Sequence, residues 1–138
     1  MDVLVLIGRI LFVALFLSSA VGHLTQTEAM AQYAQFKGVP APKAAVFASG
    51  LLLAVGGLSV LLGIWADLGA LLLFVFLLPT AFLMHAFWKE TDPQAKQTEM
   101  ISFNKDLALA GAALMLFAFF AYVGGDLGLT VTGPLFSL

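Results

Sequence analysis

Two histidines stand out in a chain that is nearly devoid of titratable side chains: His23 and His85. Each closes a long apolar run, and each lies within a turn or so of polar sequence. A histidine beside a carboxylate takes and gives protons near neutral pH. Lys105 and Asp106 open a later apolar run, and alternating helices place them at the same end of the molecule as the histidines. His85, Lys105 and Asp106 are therefore the candidate catalytic group. The plainer alternative for each histidine is an interfacial side chain bonded to water or to a helix-end carbonyl. No metal site is expected, because a third ligand is missing and neither HxxxH nor ExxH spacing occurs. Ligation of a haem by His23 and His85 is geometrically open, since their spans are diagonal in an up-down bundle, but it is not the favoured reading. No Gly-rich phosphate loop or nucleophile elbow is present.

The elements that must position these residues are membrane helices. The 138 residues are 62% hydrophobic and 10% charged, with a mean hydropathy of +1.04. A soluble domain carries about a quarter charged residues. The composition implies an integral membrane protein with a single transmembrane domain, 1–138. A net charge of −2 and no basic arm exclude nucleic acid as a partner. The absence of cysteine excludes disulfides, thiol relays and thiolate metal sites.

The fold expected is an all-α membrane protein, a four-transmembrane-helix antiparallel up-down bundle with a short interfacial helix between spans 1 and 2. The spans run over about 3–22, 44–66, 68–88 and 107–124. Between Asp67 and Lys89 lie twenty-one residues without Asp, Glu, Lys or Arg, enough helix to cross a bilayer core. Span 1 lacks the basic n-region of a signal peptide and reads as a retained helix. Its one charge, Arg9, sits about two turns in, roughly 10 Å of helix. Arg9 either snorkels to the headgroups or pairs with Asp67 or Asp126 as a structural ion pair at the same end of the bundle. Arg9, Phe12, Phe16, Ser19 and His23 follow the spacing of a packing seam.

Thr25 and Glu28 carry a capping-box signature for the interfacial helix, which Gly38, Pro40 and Pro42 terminate. Small-residue stripes (Ser49, Gly56 and Gly63; Gly50, Ala54 and Gly57) mark span 2 as a packing helix, and Ala108, Gly111 and Ala112 form the small face of span 4. A tight turn at Trp65-Ala66-Asp67 joins spans 2 and 3. Pro79 kinks span 3, and the kink can open a cavity below His85. The segment from Lys89 to Lys105 reads as an aqueous loop, with Ser102 or Asn104 capping span 4. The apolar tail after Asp126 is expected on the membrane surface. Five lysines cluster at one end and a single arginine at the other, which puts the lysine-rich loops in the cytoplasm and both termini outward.

Four stretches in order, GRILFVALFLSSAVGHL, MAQYAQFKGVPAP, LPTAFLMHAFW and FNKDLALAGAALML, resemble the successive signatures of DoxX-like membrane proteins. The resemblance picks out Arg9, Gly38, Pro40, Pro42, Pro79, His85, Phe87, Trp88, Lys105 and Gly111. One position departs from it: Asp106 stands where the family pattern has Asn after the lysine. The resemblance implies a bacterial inner-membrane protein related to the small subunit of a thiosulfate:quinone oxidoreductase. On that footing the chain is a redox-associated membrane subunit with a quinone pocket at the cytoplasmic interface. His85 would serve a ring carbonyl, Lys105 and Asp106 would polarise the site, and His23, Phe87, Trp88 and Asn104 would bind the ring. The alternatives are a non-catalytic anchor or assembly partner for an oxidoreductase, and a lipid-binding protein. The partners implied are membrane lipid, a soluble or membrane oxidoreductase subunit, or further copies of the chain.

Overall fold

The computed structural model describes residues 1–136 and 138. Among the described residues there are five α-helices, α1 (Asp2–Thr25), α2 (Thr27–Phe36), α3 (Pro42–Leu62), α4 (Ala66–Met84) and α5 (Pro93–Val123), with single 3-10 turns at Phe87–Lys89 and Gly124–Asp126. Four of them, all but α2, are long and apolar enough to cross a membrane. They pack as an up-down bundle in which α3 lies between α1 and α4, and α5 lies on α4. The short α2 rests on α3 at one end. The core runs along the bundle axis through Val13, Phe16, Leu53, Val60, Leu73, Leu77, Ala113 and Phe120.

In lipid, apolar side chains gain little from meeting one another, so close backbone approach holds helices together. α3 provides it on two faces. A Cβ at Gly50 would stand 2.9 Å from the His23 Cβ, and one at Gly57 would stand 2.8 Å from Leu17, both on α1. Gly56 faces Leu73 and Gly69 of α4. The inward stripe of α1 is Arg9, Val13, Phe16 and Ala20. Phe12, Ser19 and His23 of the expected seam are only half-buried.

Several boundaries differ from the sequence expectation. The α3–α4 turn falls at Gly63 to Trp65, where Gly63 has a φ of +67° and Ser59 Oγ donates to the carbonyls of Ile64 and Trp65. Asp67 is consequently inside α4, and fully buried. The Thr25–Glu28 box does not form: the Thr25 hydroxyl donates to Val21 O within α1, and Glu28 meets Lys43 at 2.8 Å. The far end of α2 closes as expected, with Gly38 at φ +84° and bonds from Gly38 N to Gln35 O and from Val39 N to Ala34 O.

The segment taken for an aqueous loop is largely helix. Asp92 accepts from Ala95 N at 2.8 Å and Pro93 occupies the first turn, so α5 starts there and not at Ser102 or Asn104. At 31 residues, α5 is about 46 Å long, well over a bilayer core, and its first turns project beyond the membrane. Its buried face is Asp106, Ala110, Ala113, Phe120 and Ala121. Ala108 and Gly111 of the expected small face are exposed and point away from the bundle.

Candidate functional site

Met84 ends α4, and His85 is its C-cap, turned out of the helical path with its amide still bonded to Ala81 O. That turn aims the ring at α5. The carboxylate of Glu99 has no hydrogen to give, so His85 Nδ1–H donates to Glu99 Oε2, at 2.7 Å. On the other side, His85 Nε2 lies 3.6 Å from Asp106 Oδ2. Glu99 and Asp106 are two helical turns apart on one face of α5, so the imidazole lies between them, bonded to Glu99 and near Asp106.

The cluster extends to α2. Glu99 Oε1 accepts from Tyr33 OH and from Lys37 Nζ, each at 3.0 Å, and Lys37 also donates to Glu90 at 3.0 Å. Burial works against the Lys37 charge, but the bonds to Glu99 and Glu90 outweigh it and hold its pKa above the ordinary lysine value. Burial, followed by the Glu99 carboxylate, likewise pushes the Tyr33 phenol up. α2 is thus clipped across the bundle end to α5 by a tyrosine and a lysine.

Beneath the clip lies a cavity of about 650 Å³, lined by His23 of α1, Met30, Tyr33 and Ala34 of α2, Val46 and Ser49 of α3, Phe76, Pro79, Thr80 and Met84 of α4, and His85. Pro79 lacks the N–H that would close its turn, and the cavity opens beside it. His23 Nδ1 lies 2.7 Å from Ser49 Oγ and 3.3 Å from Val46 O. The Ser49 hydroxyl itself donates to Val46 O at 2.8 Å. Both oxygens therefore act as acceptors, and the His23 proton sits on Nδ1. In a neutral ring this leaves Nε2 as a free lone pair. The ring is held edge-on against Phe76, with centroids 6.3 Å apart.

The structure brings together His23 and His85 on one cavity, and His85 with Asp106. Lys105 is peripheral: its side chain is half exposed and its Nζ stands 3.9 Å from Asp106. Phe87 and Trp88 do not line the cavity. They pack around Phe103, at centroid distances of 5.5 and 5.6 Å, in an aromatic group on α5 that includes Phe82. Asn104 is exposed on α5 and caps nothing. The adjacency of Phe87 and Trp88 to His85 did not carry over, because α4 stops at Met84 and a 3-10 turn follows.

The expected ion pair of Arg9 with Asp67 or Asp126 does not form among the described residues. Arg9 Nη2 donates to Leu61 O and Leu129 O, each at 2.8 Å. Asp67 accepts from the amides of Leu135 and Phe136, at 2.9 and 2.7 Å. Asp126 is exposed in the terminal 3-10 turn. Main-chain groups of the tail outcompete the side-chain pair because the tail folds over this end of the bundle, with Val131 N and Thr132 N bonded to Gly63 O. The tail is thus tied to the bundle by its main chain.

Glu99, Glu90, Lys37, Tyr33 and Ser49 were not singled out as site residues from sequence. The readable signal for Glu99 was its seven-residue spacing from Asp106, visible only once α5 is known to begin at Pro93. Among the described residues no group of three His, Asp or Glu side chains is arranged to hold a metal ion.

Comparison with known proteins bears on this arrangement. The DoxX family model matches residues 4–86. The chain is 30% identical to the inner membrane protein YphA of Escherichia coli over 114 residues, covering 83% of this chain and 81% of that one. It is 34% identical to the inner membrane protein YqjF of the same organism over 118 residues, covering 83% and 82%. No solved structure matches it.

Proposed function

The chain belongs to the DoxX family of multi-pass inner-membrane proteins, and from that premise we propose that its cavity binds the ring of a quinone-type lipid for a redox system of the membrane. The observation that carries the reading is that His23 and His85, from diagonal helices, line one mostly apolar cavity. Its volume, about 650 Å³, falls within the range that small ligands fill. A flat ring with an oxygen at each end needs a polar group at each side and apolar walls between. His23 and Ser49 supply one side, His85 and Tyr33 the other, and Phe76, Met30 and Met84 the walls.

A quinone supplies two-electron, two-proton chemistry. This chain's share is proton handling and placement. His23, fixed by Ser49, offers Nε2 to a ring hydroxyl. His85 passes its proton toward Glu99 or Asp106, which lead to the charged end of α5. The electrons go to an oxidoreductase subunit. With the lysine-rich end in the cytoplasm, proton exchange takes place there. The chain has no cysteine of its own, so single cysteines introduced at Gln94 and Gly125 and labelled in intact cells test that orientation.

The deciding experiment is solvent extraction and mass spectrometry of lipids carried by protein purified in mild detergent. One quinone per chain, lost on His23→Ala, is the expected result. Phospholipid alone in both samples overturns the reading. A second reading, a non-catalytic anchor, is favoured by the outward face of α5, where a Cβ at Gly111 would meet nothing within 4 Å. It predicts that Gly111→Phe strips an oxidoreductase partner from the purified complex, with His23→Ala leaving that complex intact.

A further inference from the structure

At the end of the bundle away from the quinone cavity lies a second one, about 430 Å³, formed between α1 and α5 alone and lined by Gly8, Arg9 and Phe12 on one side and Ala112, Met115 and Phe119 on the other. α1 and α5 do not pack on each other extensively. Met115 at the rim is 70% exposed, so the cleft opens sideways, toward lipid rather than toward a partner helix of this chain.

Arg9, at its base, is an anomaly. Its side chain is 2% exposed, yet only Nη2 is satisfied, by the carbonyls of Leu61 and Leu129. Nε and Nη1 are buried with no acceptor, which leaves three of the five guanidinium N–H groups unused. No carboxylate lies within 4.0 Å of it among the described residues. The acidic groups at this end are held or face out: Asp67 accepts from the tail amides, and Asp2 and Asp126 are exposed. A guanidinium buried in an apolar bundle is costly unless an anion meets it.

We propose that this cleft binds an anionic membrane lipid, with a headgroup oxyanion accepting from Arg9 and an acyl chain lying along Phe12, Met115 and Phe119. Depth and charge both fit. Arg9 reaches Leu61, one residue from the end of α3, which is where a headgroup meets the chains. The cleft walls are otherwise apolar.

Native mass spectrometry of the detergent-solubilised protein tests this, with phosphatidylglycerol, a diacylglycerol of the same chains, and oleate as probes. The expected result is retention of phosphatidylglycerol at concentrations about tenfold below those needed for diacylglycerol, the scale of one charge-assisted hydrogen bond. Arg9→Gln removes that preference. Gly8→Leu does too, by filling the mouth of the cleft: a Cβ there meets nothing within 4 Å, so Arg9 and its carbonyl bonds stay in place even if Arg9→Gln fails to fold. An oleate preference with the same dependence on both variants supports the anion site and names a free carboxylate as its source. Equal retention of phosphatidylglycerol and diacylglycerol, or a preference that survives Gly8→Leu, overturns it.

Discussion

At the end of the bundle covered by α2, charged side chains satisfy one another: Lys37 with Glu90 and Glu99, and Glu99 with His85. At the end closed by the tail, main-chain groups take that role: they satisfy Asp67 in full and Arg9 through Nη2 alone. Side chains in the first set keep 10–28% of their surface in contact with solvent, whereas Asp67 keeps none. A side-chain network at the edge of water exchanges protons and responds to salt. A carboxylate holding two buried amides does neither, and serves as a structural tie. The contrast separates a chemical end from a mechanical end within one small bundle.

Substitutions can test whether the ends differ in that way. The largest effect is expected from Asp67→Ala, which strands the Leu135 and Phe136 amides and costs about 3 kcal/mol. Thermal unfolding in detergent should show the loss, and hydrogen exchange should show the tail released. Next comes Gly63→Ala, about 2 kcal/mol from a left-handed backbone position; its Cβ would also stand 2.6 Å from Thr130. Tail exchange should rise while α2 stays protected.

At the chemical end, Glu99→Gln removes the negative charge and one of the two acceptor oxygens shared by Tyr33, Lys37 and His85, and costs about 1 kcal/mol, since Glu90 still holds Lys37. Exchange should rise in α2 and not in the tail, and molar salt should mimic it. The Lys37 contribution has a definite pH sense. Its pKa is raised on folding, so the stability it adds is fully present below the ordinary value of 10.5 and is lost as pH climbs above that. Protection of α2 that depends on Lys37 should therefore be flat from pH 6 to 9, which a comparison with Lys37→Met measures. The smallest effect is expected at Lys43, whose pair with Glu28 is about 70% exposed on both sides; Lys43→Ala should leave the melting temperature unchanged.

How much of this was legible in the sequence follows the same division. Four apolar spans, the short helix between the first two, the Gly38 terminus and the inward role of Gly50, Gly56 and Gly57 could all be read, because hydropathy and small-residue spacing are local signals. The site was legible only in its histidines and Asp106. Glu99 was hidden because the first turns of α5 stand outside the membrane and carry no apolar pattern; Asp92-Pro93 was the start signal, and the run of charge around it suggested a loop. The placement of Phe87 and Trp88 failed on a single backbone event, the departure from helix at His85. Neither partner of Arg9 could be read at all, since carbonyls carry no sequence mark.

The 2.8 Å bond from Arg9 to Leu129 spans 120 positions, and that separation has a bearing on biogenesis. When α1 enters the membrane, neither carbonyl that will hold its guanidinium is in place. The Leu61 carbonyl arrives with α3, and the Leu129 carbonyl only after α5 has crossed. Until then α1 must keep Arg9 near the headgroups, so insertion and final depth are separate events for this helix. A nascent chain arrested before Leu129 should hold α1 shallower than the finished protein does, a difference that glycosylation mapping or force profiling of translation intermediates would register.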